Sequence, residues 1–441
     1  MIKNTSYTYL FALMLFSACS GFLDEKPNKN ILVPESVSEY EALIDNYDQI
    51  NLTPVLPFVY ADDYYTLASN WQRFMPWQQN AYLWSDDPYL PDESPLDYFL
   101  MYRKIFNANI ILDKVNTAPE WSVDDLNRLK GKALFWRAHA YYELAVLHLP
   151  IPESGFDESD YFIPLVTDAE LGSTKENANA GEIFSMILGD LENSLSLLPE
   201  IPEYASQPSK YAGYALLARI NLYLGKYENA REYAEQVLAG PFTLMDYGML
   251  DSTSSYPFNL FNSETVLFTN MASQGTVSND NIAFITADLM GSFDSLDLRL
   301  PLYTFSNDFG TVSFRGSYTG DYSVFTGIGL DEVYLILAES NVRLGNEEEG
   351  LGNLVSLLEK RYSGQIPILL GEEVLLETVL SERRKSLLFR GQRWADLKRF
   401  SYWDNQYYIL KRSLEEEEIL FESKPENFQL KIAQRELAFM K

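Results

Sequence analysis

Cysteine is almost absent from this chain: Cys19 is the only one in 441 residues. No intrachain disulfide and no cysteine-built metal centre can therefore form. Histidine is nearly as scarce. His139 and His148 stand nine positions apart in a segment of helical periodicity, about two and a half turns, so they face opposite ways and share no metal. Positive charge is also short, with 34 Lys and Arg against 63 Asp and Glu and a formal net charge of −29. Such a surface repels nucleic acid and gains nothing from anionic lipid headgroups. No Gly-rich phosphate loop, nucleophile elbow or zinc-protease pattern occurs. A chain this acidic holds carboxylate pairs at glycosidase separation by chance, but no Asp or Glu is singled out by its setting. The residues therefore predict no enzyme, no cofactor and no metal; Asp86, Asp87, Asp92 and Glu93 match no EF-hand spacing and read as a solvated acidic loop.

Long hydrophobic runs are missing too. The apolar stretch from about Tyr9 to Phe16, behind Lys3, is too short to span a bilayer. It reads as the core of an export signal over residues 1–18. Ser17 and Ala18 then precede Cys19, as small residues do in a bacterial lipobox, so Cys19 is expected to become the acylated first residue of a mature chain, 19–441. Membrane attachment would rest on the lipid anchor only.

What the chain does have is helical periodicity. Tyr98, Met101, Ile105, Ala108, Leu112 and Val115 step by three and four and fall on one side of a helix. Ser122 with Asp125 marks the start of a second helix, whose stripe runs from Leu126 through Trp136 to Leu147 before Pro150 and Pro152 end it. Ser173 with Glu176 is read as the cap of a third, with Phe184, Ile187, Leu191 and Leu195 inside. In "LLARINLYLGKYENAREYAEQVLAGP", Gly225, Tyr227, Ala230 and Pro241 follow the tetratricopeptide pattern, and Gly345 and Gly350 take the places of Gly225 and Ala230 in a second unit. The fold is expected to be mainly α: one domain over 19–441, with a helical scaffold at about 96–250 and 328–441 and loop-rich insertions at about 58–95 and 251–325 carrying short strands.

The insertions hold the functional candidates. Trp71, Trp77 and Trp84, three of seven tryptophans, crowd together beside Asn70, Arg73 and Tyr82. Flat rings suit the C–H face of a pyranose, and Asn and Arg donate to hydroxyls. The competing reading of each tryptophan is core packing of the loop onto the helices.

Several segments, in order, resemble the SusD/RagB family. "FLDEKPNKN" follows the lipobox cysteine, and "SVSEYEALIDNY" is similar to the family's first helix. "IFNANIILDKV" with "GKALFWRAHAYYELAVLHLPIP" is similar to its first long helical pair. "SERRKSLLFRGQRWADLKRF" resembles its C-terminal signature through Glu382, Arg383, Arg384, Gly391, Arg393, Trp394, Asp396, Leu397 and Arg399, departing at Ser386, Arg390 and Ala395. The charged members of this cluster are read as a structural ion-pair network. The resemblance implies a SusD-like fold and a non-catalytic lipoprotein on the outer-membrane cell surface. Such a protein captures an oligosaccharide or other nutrient for a SusC-like TonB-dependent transporter. It also implies a ligand site drawn from the early loop and from a later insertion, here Tyr303, Tyr318 and Tyr322. The alternative from the helices alone is a tetratricopeptide-type protein-interaction scaffold of the cell envelope.

Overall fold

The computed structural model describes residues 34–170, 175–272, 279–307, 310–366 and 372–437. Cys19 and the export signal expected at 1–18 lie outside them. The chain divides into two units, 1–40 and 41–441. In the described part of the first, the Glu39 carboxylate accepts from the backbone N–H groups of Glu35 (2.7 Å) and Ser36 (3.0 Å).

The second unit is mainly α. Its long helices are α1 (Leu96–Val115), α2 (Val123–His148), α3 (Ala180–Leu195), α4 (Lys210–Tyr223), α5 (Tyr227–Leu238), α6 (Leu330–Arg343), α7 (Glu347–Leu358) and α8 (Glu372–Ser386), followed by the shorter α9 (Arg393–Arg399). The stripes read from sequence are the packed faces. Met101, Ile105 and Ala108 of α1 are buried, as are Leu129, Ala133, Trp136, Ala140, Leu144 and Leu147 of α2. Ser122 caps α2, its Oγ accepting from Asp125 N–H at 3.1 Å. The cap of α3 lies further along than Ser173 and Glu176. Asn179 Oδ1 accepts from Glu182 N–H and Glu182 Oε2 from Asn179 N–H, both at 3.0 Å. Glu176 instead belongs to the strand Glu176–Ala178, paired with Ile163–Leu165, and Ser173 lies outside the described residues.

Helix pairs α4–α5 and α6–α7 are the two tetratricopeptide-like hairpins, and α5 packs on α6. Gly225 (φ +69°) and Gly345 (φ +82°) make their turns in the left-handed region that favours glycine. A Cβ at Gly350 would stand 2.6 Å from Val342 Cγ2. The smallest residue thus sets how closely α7 approaches α6.

The second scaffold block stops earlier than 441. After α9 and a π turn at Phe400–Asp404, the chain forms the antiparallel hairpin Ile409–Leu414 with Glu417–Glu422. Burial there alternates along the first strand, with Leu410 and Arg412 inward. The insertion at 58–95 also contains short helices, Ala68–Trp71 and Pro76–Tyr82. It is tied to the second insertion by antiparallel pairing of Tyr64–Tyr65 with Phe284–Ile285, and just before it Leu52–Thr53 runs parallel to Asn270–Met271.

The C-terminal charge cluster is structural. Arg383 and Arg399 share Asp396 (3.0 and 2.8 Å), Arg399 also holds Glu339, and Arg393 reaches Asp62 at 2.6 Å. The positions that depart from the family pattern have their own partners. Arg390 pairs with Asp331 at 3.0 Å over the ring of Tyr318, and Ser386 Oγ accepts from Arg299 at 2.7 Å. Both histidines are buried. Desolvation holds His139 well below its ordinary range and His148 at about 4, where its Nδ1 lies 2.8 Å from the Leu430 carbonyl.

Candidate functional site

The second insertion closes around an open cavity of about 620 Å³. Its walls come from chain segments that are remote in sequence. The strands Thr304–Ser306 and Val312–Phe314 pair and contribute Phe305 and Phe314. The loop that follows supplies Asp321 and Tyr322, and a polar turn supplies Asn279, Asp280 and Asn281. Tyr256 adds a further ring. Phe389 comes from the turn between α8 and α9, where it adopts φ +55° and stacks on Phe314 at 4.9 Å with the planes 10° apart.

Tyr322 is 72% and Tyr256 42% exposed, so both rings face water while lining the hollow. The polar turn is internally fixed: Asn281 N–H donates to Asn279 Oδ1 (2.9 Å), Asn281 Nδ2 to Asp280 Oδ1 (2.7 Å), and Ser313 Oγ to Asp280 O (2.6 Å). Asp321 Oδ1 accepts from Ser323 N–H at 2.7 Å. Arg315 has its terminal nitrogens on backbone carbonyls: Nη1 on Ser254 (3.0 Å), Nη2 on Ser252 (2.5 Å) and Pro301 (2.6 Å). Rings and hydrogen-bonding groups in one hollow are the chemistry that binds a polyhydroxylated ligand.

Of the nine candidate residues, Tyr322 lines the cavity. Asn70 stands behind its wall, Nδ2 donating to the Asn281 carbonyl at 3.1 Å. Trp71 is half-buried, its Nε1 donating to the Gln79 carbonyl (3.3 Å), and Arg73 is exposed outside the cavity lining. The others are buried within the framework. Trp77 stacks on Tyr89 at 5.7 Å. Trp84 donates to the Tyr60 carbonyl at 2.9 Å, and Arg412 lies between the Trp84 and Tyr82 rings, 4.1 Å from each. Tyr303 and Tyr318 meet at Tyr247, whose hydroxyl is 3.0 and 2.6 Å from theirs, and Tyr318 also donates to Glu264 at 3.0 Å. Each of these buried rings has its polar atom matched or its face covered, which is why the fold keeps it inside.

The sequence reading missed Tyr256, Phe305, Phe314 and Phe389. The Asn279–Asp280–Asn281 run was a visible turn signal, and Phe305 and Phe314 lie on short strands with turn residues between them. Nothing local marked Phe389, which read as part of an apolar run. Among the described residues no group of three or more His, Cys, Asp or Glu side chains is arranged to hold a metal, and no helix is long and apolar enough to cross a membrane.

The architecture defines the class first: a tetratricopeptide-like frame whose insertions fold into an irregular, cavity-bearing part. A family described as "Starch-binding associating with outer membrane" matches residues 21–222, and the SusD family matches 302–439. The chain belongs to the SusD/RagB family. SusD-like protein P2 of Formosa agariphila is 32% identical over 136 residues, 31% of this chain and 24% of that relative. The chain spans less than half the length of the curated relatives it matches. A SusD superfamily protein of Bacteroides thetaiotaomicron shares the fold at TM-score 0.74 and 19% identity, over 92% of this chain and 98% of its own. A laminarin binding SusD-like protein does so at TM-score 0.61 and 19% identity, over 83% and 92%.

Proposed function

We propose that this protein is a non-catalytic carbohydrate-binding lipoprotein of the outer-membrane surface, which captures an oligosaccharide in the cavity beside Tyr322 and passes it to a SusC-like TonB-dependent transporter. The observation that carries the reading is the cavity of about 620 Å³ lined by the exposed rings of Tyr256 and Tyr322 and by fixed amides and carboxylates. Stacked C–H faces and hydroxyl hydrogen bonds give such a site affinity for sugars. The laminarin-binding relative of the same fold supports the ligand class. The family description supports the location.

In this reading residues 1–18 are the export signal, Cys19 carries the acyl chains, and 19–441 is one SusD-like domain. Calorimetric titration of purified 19–441 against a panel of oligosaccharides tests the binding. At least one should bind, and Tyr256→Ala with Tyr322→Ala should abolish it without changing the melting temperature. No binding across the panel, or binding indifferent to both substitutions, would overturn the assignment. Turnover of a bound glycan would overturn the non-catalytic part. Co-purification of a β-barrel transporter with the membrane-anchored chain, lost in Cys19→Ala, tests anchor and partner together.

A further inference from the structure

The sequence of the insertion that builds the cavity is lopsided in charge. The insertion 251–325 contains eight acidic residues and two basic ones, Arg299 and Arg315. Arg299 is fully buried in ion pairs with Asp297 (2.7 Å) and Glu382 (2.5 Å). Arg315 reaches the cavity, but both of its terminal nitrogens are held by the Ser252, Ser254 and Pro301 carbonyls. Arg390, next to the Phe389 wall, is buried against Asp331. Arg73, the single cation of the insertion at 58–95, is not among the lining residues. The segments 273–278 and 308–309, outside the described structure, contain no Lys or Arg. Two carboxylates, by contrast, line the hollow: Asp280 and Asp321. Each accepts from a neutral donor, Asp280 from Asn281 Nδ2 and Asp321 from Ser323 N–H.

We infer that this site selects a neutral oligosaccharide and rejects glycans bearing sulfate or uronate groups, with Asp280 and Asp321 as the specificity-determining residues. The inference rests on the glycan-binding reading above and narrows it. A ligand sulfate or carboxylate entering the hollow would approach two like charges, Asp280 and Asp321, against a single cation among the described lining residues, Arg315, whose terminal nitrogens are already bound to carbonyls and which leaves the lining at a formal charge of −1. Specificity of this kind is achieved by repulsion of the wrong ligand as much as by attraction of the right one. A neutral sugar hydroxyl instead finds in each carboxylate a strong acceptor. The formal net charge of −29 acts in the same direction at longer range.

The test uses residues 19–441 and matched ligands of one backbone: β-1,4-mannohexaose with β-1,4-mannuronate hexamer, laminarihexaose with sulfated laminarin oligomers, and maltoheptaose with its sulfated form. Titrations are run in calcium-free buffer of low ionic strength, and only binding lost on Tyr322→Ala is scored. At least one neutral member should bind, and its charged counterpart should bind at least tenfold more weakly, the gap shrinking as salt is added. A charged member that binds through Tyr322 as tightly as its neutral partner would overturn the charge selection and leave the glycan reading standing. Absence of Tyr322-dependent binding in all three pairs would overturn both.

Discussion

Phe389 lies flat on Phe314, with ring centroids 4.9 Å apart and planes within 10°. The stack joins the turn after α8 to a strand of the second insertion, so helical frame and irregular part share one wall of the cavity. Phe389 has φ +55° and Gly391 φ +74°, with Arg390 between them fixed on Asp331. The turn is thus held from both sides.

The aromatic residues divide into two groups that experiment should separate. Tyr322→Ala should remove oligosaccharide binding and leave the unfolding midpoint unchanged, since the ring is 72% exposed. Trp84→Ala should lower stability by about 3–5 kcal/mol, as for other buried large-to-small changes, because Trp84 covers Arg412 and donates to Tyr60. Its folded fraction should still bind. Urea titration beside calorimetry on each variant checks both outcomes.

Gly391→Ala should destabilise the protein by about 1–3 kcal/mol. The residue occupies the left-handed region, and its Cβ would stand 2.8 Å from the Phe58 ring. A shift of the denaturant midpoint with an unchanged slope is the expected signature.

Arg390→Met should leave Asp331 buried without its cation, at a cost of about 3–5 kcal/mol. Asp331→Leu combined with Arg390→Met should recover part of that loss. A double-mutant cycle by chemical denaturation measures the coupling. Additive single effects would show that the pair, 3.0 Å apart, does not act as a unit.

Two buried carboxyls should give opposite pH dependences. Burial alone would raise Glu339, but Arg399 and Arg343 outweigh it and hold the carboxyl at about 2. Its folded pKa lies below the unfolded one, so its stabilisation is complete above about pH 4.5 and is lost as pH falls towards 2. Asp97 is raised to about 6 by burial, only partly offset by the Val55 and Leu56 N–H groups it accepts. Its contribution is complete below about pH 3.8 and is lost as pH rises through 6. Relative to the parent, Glu339→Gln should flatten the acid limb of a stability profile. Asp97→Asn should remove a decline between about pH 4 and 6.

Local signals made the helical frame readable. Ser122 caps α2, Gly225 and Gly345 turn the repeats, and Gly350 permits close packing, all through interactions within a few residues or one helix pair. The third cap was displaced because Asn179–Glu182 carries the same spacing as Ser173–Glu176 and only backbone context separates them. The C-terminal hairpin was read as helix because its alternation covers only six residues per strand. The cavity was legible only as a region. Its walls meet through long-range pairings such as Tyr64–Tyr65 with Phe284–Ile285, which no local period encodes. Tyr303 and Tyr318 show why composition alone misleads: a tyrosine whose hydroxyl finds Tyr247 and Glu264 is as content inside as out.

Arg393 grips Asp62 across 331 positions, and Arg412 reaches back from the final hairpin to the carbonyls of Val59 and Ala61, 353 and 351 positions away. The early loop is therefore fastened only by partners far along the chain, first Asn281 and the Phe284–Ile285 strand and then Arg384, Arg393 and Arg412. Closing such distances is entropically slow, so the early loop should be among the last features to mature during refolding. A proteolytic nick near residue 405 should loosen the opposite end of the sequence before it disturbs the helices in between.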